Sequence, residues 1–342
     1  MIYLFFLVAL SVIVSFVSTP LVKKFAVSVN AIDIPKDSRK IHKKPIPLLG
    51  GLSIYIAFIL TLFIKKGSTP TTEWGIIIGA TIIVIGGILD DIKELRPRYK
   101  MIFQVSAAIV LIISGVKIAN ITNPFHSANL YFSIGWVSIP FTILWVVGIT
   151  NAINLIDGLD GLAAGVALIA SMTTVVIALI NQRYETALLT AILCGSILGF
   201  LPYNFNPASI FMGDTGSQLL GFLLSAISME GAIKSAAAFA IVVPILALGL
   251  PIYDTLFAMI RRKVNGRPIM QADKGHLHHR LLDMGLNQRE AVIIMYMISA
   301  VLGGFAIIAM QLSSQRAYFL LAGVVIIIVI IAWKYGFFEH KD

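Results

Sequence analysis

Residues 136–180 read WVSIPFTILWVVGITNAINLIDGLDGLAAGVALIASMTTVVIALI. Two runs without a charged side chain, 136–150 and 162–180, flank a short polar segment at 151–161. A helix that crosses a bilayer needs about 20 mainly apolar residues, because lipid cannot satisfy an exposed backbone amide. The stretch therefore reads as two membrane helices joined at a polar turn. Working outward, the pattern recurs. Charge-free runs at about 2–22, 48–64, 74–89, 101–116, 136–150, 162–180, 186–201, 217–229, 236–260, 291–310 and 317–333 give eleven candidate spans.

The composition agrees. Of 342 residues, 58% are of the AVILMFWYC class and 13% are charged, against about 25% charged in soluble domains. Mean hydropathy is +0.91. A soluble core of this size cannot hide that much apolar surface, which excludes a soluble enzyme, a disordered chain and a fibrous protein. We expect an all-α polytopic membrane protein, one integral membrane domain over residues 1–342, with no internal repeat. The single cysteine, Cys194, lies in an apolar run, so neither a disulfide framework nor a thiolate metal site is expected. The first run is not read as a cleaved signal, since Lys23 and Lys24 follow it rather than precede it.

Lys and Arg set the orientation. With the N-terminus outside, segments 23–47, 90–100, 151–161, 203–216, 261–290 and 334–342 are cytoplasmic and hold 20 of the 26 basic residues. The net charge of +9 thus reports topology first, and no nucleic-acid partner is expected. Most carboxylates and histidines fall on that same face. A transporter would place ionisable groups near the bilayer midplane. Here only Asp254 lies clearly inside a span.

Five motifs carry the polar chemistry. Residues 39–51, RKIHKKPIPLLGG, include His42 and Lys43. They read either as a lipid head-group anchor or as a phosphate-binding edge, where Gly50 and Gly51 permit close backbone approach. Asp90 and Asp91 end the third run, where a helix C-terminus disfavours anions. Arg96, Arg98 and Lys100 could offset that cost, or a divalent cation could. Neighbouring helical residues point about 100° apart, so the two acids should differ in role. In residues 151–162, NAINLIDGLDGL, four polar groups stand three apart. A capped turn is the plain reading; Asn154 and Asp157 sharing a pocket, with Asp160 at its rim, is the sharper one. Residues 211–217, FMGDTGS, place Asp214 either as a helix cap or as a ligand to a hard cation, which takes one or two carboxylates plus water and phosphate. Residues 272–280, ADKGHLHHR, hold three histidines. Lys274 and Arg280 flank them and no cysteine is near, so a phosphate clamp suits the local field better than zinc. Together these describe a cytoplasmic-face site for phosphoryl transfer, where catalysis is positioning and charge neutralisation. One substrate would be a lipid and the other a soluble diphosphate compound.

The chain resembles the polyprenyl-phosphate N-acetylhexosamine-1-phosphate transferases of glycosyltransferase family 4. RKIHKKPIPLLGG, the Asp90-Asp91 pair, NAINLIDGLDGL, FMGDTGS and ADKGHLHHRLL carry the resemblance, in that order, over nearly the whole chain. It implies eleven spans in the bacterial inner membrane, with the N-terminus outside and the C-terminus cytoplasmic. It also implies magnesium-dependent transfer, with manganese as a substitute, of a sugar 1-phosphate from a UDP-sugar to undecaprenyl phosphate, releasing UMP. By the same resemblance Asp90 is the base and Asp91 supports it. Asp214 and Asn154 hold the metal, and Asp157 and Asp160 shape the nucleotide-sugar pocket. His276, His278 and His279, with Arg280, hold the diphosphate. Lys43, beside His42, contacts phosphate, with Lys44 the alternative. His-Leu-His-His after Asp-Lys-Gly resembles the WecA/TagO-like branch, which uses UDP-GlcNAc and starts cell-wall glycans such as lipopolysaccharide O-antigen or teichoic acid. The branch using UDP-MurNAc-pentapeptide carries three consecutive histidines. Related enzymes also suggest a homodimer in the bilayer.

Overall fold

The computed structural model describes residues 2–35, 44–66, 70–122, 131–233, 242–268 and 275–336. A helix covers each apolar run, and the ninth run carries two. In chain order they are α1 (Ile2–Ser28), α2 (Gly51–Ile64), α3 (Thr71–Lys93), α4 (Pro97–Ile113), α5 (Ser138–Ile156), α6 (Leu162–Ile180), α7 (Tyr184–Asn204), α8 (Gly213–Ile233), α9 (Val242–Ala247), α10 (Gly249–Val264), α11 (Leu277–Asp283), α12 (Gln288–Gln311) and α13 (Ser314–Lys334). A 3-10 turn at Gly135–Val137 and two antiparallel pairs complete the described elements: β1 (Ile32–Asp33) with β2 (Ile46–Pro47), and β3 (Asn120–Thr122) with β4 (Tyr131–Ser133).

Seven of these helices, α1, α3, α5, α6, α7, α12 and α13, are long and apolar enough to cross a bilayer. Their outward faces carry large apolar side chains in the open, among them Phe5, Ile13, Ile85, Ile327 and Ile330. Such a continuous apolar exterior belongs against lipid rather than water. The chain is an all-α polytopic membrane protein.

At the centre stands α8, which packs against α2, α3, α5, α6 and α7. Leu219, Leu220, Phe222, Leu223, Ala226 and Ile227 are fully buried along it. A helix that is apolar on every side can only be an interior helix. Lipid is as apolar as leucine, so close fit and polar contacts rather than the hydrophobic effect hold such helices together. The fit is tightest at one end of the bundle. A Cβ on Gly51, at the start of α2, would lie 2.0 Å from the Gly216 Cα. One on Gly87 of α3 would lie 2.4 Å from the Thr215 Cα. A backbone strap locks the same end: Gly50 and Gly51 donate to the Phe211 and Met212 carbonyls (both 2.9 Å), and Phe211 donates to Pro47 O (2.9 Å). The first turn of α8 is thereby wedged between two neighbours.

Two expectations need correction. The run at 236–260 is not one described helix, because α9 stops at Ala247 and α10 starts at Gly249. Pro251 has no N–H to give the Ala247 carbonyl, and its ring crowds that carbonyl, so the helix breaks there. The segment 261–290, read as a loop, contains the short helix α11 that carries the histidines.

Gly51→Val should therefore abolish the α2–α8 fit and lower the thermal midpoint of the detergent-purified protein by several degrees. Gly323→Val, on α13 with open space where a Cβ would go, should leave it unchanged. Equal midpoints for both variants would refute the wedge.

Candidate active site

The first turn of a helix leaves backbone N–H groups without intrahelical partners. At α8 these are met from another helix. The Asp91 carboxylate, near the end of α3, accepts from Asp214 N (2.8 Å), Thr215 N (3.0 Å) and Thr215 Oγ1 (2.6 Å). Asp90 turns elsewhere. Its Oδ1 accepts from Leu95 N (2.7 Å), and its Oδ2 pairs with Lys100. Lys100, in the first turn of α4, also reaches Asp214 Oδ2 at 2.5 Å. Burial works against the Lys100 ammonium, but Asp214 and Asp90 outweigh it and hold its pKa above the ordinary lysine value. Asn154, near the end of α5, donates its amide to Asp214 Oδ1 and Ser217 Oγ, both at 2.8 Å.

These groups line a cavity of about 640 Å³, walled by Asp90, Asp91, Asn154, Asp157, Asp160, Asp214, Lys100 and His279 among others. Asp157 is half-buried at this wall. Burial first, and then the fields of Asp214, Asp91 and Asp160, push its pKa well above the carboxylate range. Asp160 accepts from Asn206 Nδ2 (3.0 Å) and Ala208 N (2.9 Å), which ties the rim to the loop before α8. The fourth member of that motif, Asn151, does other work. Its amide donates to Gln104 Oε1 (2.8 Å), and Gln104 donates to Gln218 Oε1 (3.1 Å), joining α4, α5 and α8.

Among the described residues no three carboxylate, imidazole or thiolate groups form a ready metal cage. The donors present are nevertheless hard oxygens. Asp214 offers a carboxylate. With its N–H groups engaged, Asn154 has its amide oxygen left to offer. That set fits magnesium, which completes its octahedron from water and phosphate, and does not fit zinc.

The histidine helix reaches the cavity through a chain of contacts. Asp254 of α10, itself buried, takes His276 Nδ1 at 2.7 Å and Leu277 N at 2.8 Å. The rings of His276 and His278 lie parallel with centroids 5.8 Å apart, and His279 follows at 4.2 Å from His278. His278 presses on Gly158 so closely that a Cβ there would sit 2.4 Å from Nε2. Burial, with His279 and His276 beside it and only Asp254 opposing, drops the His278 pKa to about 3. Burial thus biases this imidazole toward its neutral form.

Of the residues singled out from sequence, the structure brings Asp90, Asp91, Asn154, Asp157, Asp160, Asp214 and His279 to one cavity wall. It places two others elsewhere. His276 is engaged by Asp254, and Arg280, 3% exposed, donates to the carbonyls of Gly275 (3.1 Å) and Gly336 (3.0 Å). Both are buried in the packing of α11 and are not on that wall. His42 and Lys43 lie outside the described residues; Lys44 is exposed beside them. Sequence reasoning missed Asp254 as the anchor of the histidines. It had Lys100 only as one of three candidates to offset the acids. The others, Arg96 and Arg98, are exposed, with Arg98 over the Tyr99 ring at 5.0 Å. No periodicity singles out the one that folds back.

Comparison with known proteins adds a frame. The model of glycosyl transferase family 4 matches residues 73–232. A probable undecaprenyl-phosphate N-acetylglucosaminyl 1-phosphate transferase of Bacillus subtilis (strain 168) is 42% identical over 331 residues, 97% of this chain and 92% of that protein. A decaprenyl-phosphate N-acetylglucosaminephosphotransferase of Mycolicibacterium smegmatis is 33% identical over 313 residues, 83% of this chain and 77% of its own. A phospho-N-acetylmuramoyl-pentapeptide-transferase of Clostridium beijerinckii is 31% identical over 285 residues, 79% of this chain and 85% of its own.

Asp91→Ala leaves the first turn of α8 without its borrowed cap. The loss should be about 1–3 kcal/mol, visible as a lower midpoint and faster amide exchange at residues 213–217. Asp91→Asn should lose less. Unchanged exchange in the alanine variant would remove Asp91 from this role.

Proposed function

The chain belongs to glycosyl transferase family 4, and on that premise we propose that it transfers GlcNAc-1-phosphate from UDP-GlcNAc to undecaprenyl phosphate, releasing UMP. One observation carries the reading. Asp90, Asn154, Asp157, Asp214 and Lys100, drawn from four helices and one turn, meet at a single cavity at one end of a membrane bundle. A lipid phosphate can enter such a cavity from the bilayer, and a nucleotide sugar from water. With the N-terminus outside and eleven crossings, the Lys and Arg bias puts that cavity on the cytoplasmic face of the bacterial inner membrane.

In this mechanism an oxygen of the lipid phosphate attacks the β-phosphorus of the UDP-sugar. A phosphorus–oxygen bond forms there, and the bond from that phosphorus to the bridging oxygen breaks. UMP leaves with the bridging oxygen. Asp90 takes the proton of the acceptor phosphate, held for it by Leu95 N and the Lys100 ammonium. Asp91 keeps Asp214 in register by capping α8. Asp214 and Asn154 would hold magnesium, which when bound would supply charge neutralisation on the diphosphate. Lys100 stays cationic among the acids, so carboxylates can crowd the cavity without repelling the phosphates outright.

GlcNAc is favoured over MurNAc-pentapeptide as the donor sugar. Identity is 42% to the Bacillus GlcNAc relative and 31% to the Clostridium pentapeptide relative, and the histidines read His-Leu-His-His.

Purified enzyme should release UMP only when UDP-GlcNAc, undecaprenyl phosphate and magnesium are all present. EDTA should stop release and manganese should partly restore it. Asp214→Asn should lower kcat by at least about 100-fold, the scale for loss of one charge-stabilising group. Release from UDP-MurNAc-pentapeptide alone would move the reading to that donor. Flux across liposomes without UMP would make the protein a transporter. UMP formed before lipid is added would replace direct attack with a covalent phospho-enzyme.

A further inference from the structure

Asp254 is a buried carboxylate on α10, which also buries Arg261 and Arg262, and the phosphoryl-transfer chemistry above makes no use of it. It is 6% exposed. A buried carboxylate is costly unless its lone pairs are taken up. Both Asp254 oxygens are engaged, and by adjacent residues: His276 Nδ1 on Oδ2 at 2.7 Å and Leu277 N on Oδ1 at 2.8 Å. Since Asp254 accepts both bonds, the His276 proton sits on Nδ1, which fixes that ring's tautomer and plane. The Leu277 bond fixes the first N–H of α11. Neither bond reaches substrate, but together they set how α11 lies.

The consequence travels through three rings. His276 lies parallel to His278 at 5.8 Å and 7°. His278 butts on Gly158, where no side chain would fit, and Gly158 adjoins Asp157 in the motif that lines the cavity. His279 follows at 4.2 Å from His278, and it alone of the three lines the cavity. Adjacent histidines thus have separate tasks, and the task of each follows from where Asp254 holds the first. We propose that Asp254 is a positioning residue: by gripping His276 and the start of α11 it docks the histidine helix on Gly158 and presents His279 to the phosphates of the nucleotide sugar.

This inference rests on the proposed transferase reading, so its test needs two arms. In the kinetic arm, Asp254→Asn keeps one acceptor oxygen and loses the other. KM for UDP-GlcNAc should rise at least tenfold while KM for undecaprenyl phosphate moves less than twofold. His279→Ala should raise the same KM. His276→Gln keeps an N–H for Asp254 and should hold KM within threefold, whereas His276→Leu should behave like Asp254→Asn. The His276 pair decides the matter even where the Asp254 variant does not fold. Equal changes in both KM values, a normal KM in His279→Ala, or identical His276 variants would each overturn the proposal. The second arm needs no turnover. Amide exchange of the full chain in detergent should quicken within residues 275–283 in Asp254→Asn and stay unchanged at 213–217. No change at 275–283 would overturn the proposal. Wild-type enzyme that releases no UMP from UDP-GlcNAc would instead sink the transferase reading, and amide exchange would still decide whether Asp254 holds α11 in place.

Discussion

The site depends on one ammonium group placed between two carboxylates. Lys100 joins Asp90 to Asp214 across helices that lie far apart in the chain. Two like charges 4 Å apart repel by about 4 kcal/mol at an effective dielectric near 20. The cavity wall carries Asp90, Asp91, Asp157, Asp160 and Asp214 together. Such a cluster cannot persist unless each acid is answered. Asp90 is answered by Lys100 and the Leu95 amide, and Asp91 by the first turn of α8. Asp160 is answered by Asn206 and Ala208. At Asp157, burial and then the fields of Asp214, Asp91 and Asp160 raise the pKa well above its ordinary value. A cation in the cavity would reverse that field, which is why a metal-assisted reaction and this arrangement suit each other.

The scaffold exists to hold the start of α8. The backbones of Gly51 and Gly216, and of Gly87 and Thr215, come so close that a methyl group would not pass between them. Lipid offers no driving force for helix association, so this contact, the strap at 47–51 and 211–212, and the Gln104–Gln218 amides replace the burial that a soluble enzyme would use. Precision at Asp214 is the result. The family match over residues 73–232 spans α3 to α8, the helices that carry Asp90, Asp91, Lys100, Asn154 and Asp214.

The histidines show how contiguous residues separate in function. His276, His278 and His279 look like one cluster in sequence. In the fold one is gripped by a buried aspartate, one is wedged on Gly158, and one meets the cavity. Arg280 beside them ties α11 to the carbonyl end of α13. Positive charge in a motif is therefore a poor guide to which group lines the cavity.

Composition and run length alone determined that this is a helical membrane protein, because every span must satisfy its own backbone and bury it in lipid. The acidic and amide motifs were legible for a related reason: a polar group at the end of an apolar helix is costly and must have a purpose. The roles were not legible. Whether Asp91 caps or catalyses, which of three cations answers Asp90, and why Asp254 sits inside a span all turn on residues elsewhere in the chain. The break at Pro251 and the helix at 277–283 escaped for a similar cause, since a short helix in a polar segment leaves too weak a pattern to detect. Periodicity records what one helix presents to its surroundings. Only the packed bundle decides which helix ends converge, because close approach depends on small residues meeting across helices of unrelated sequence.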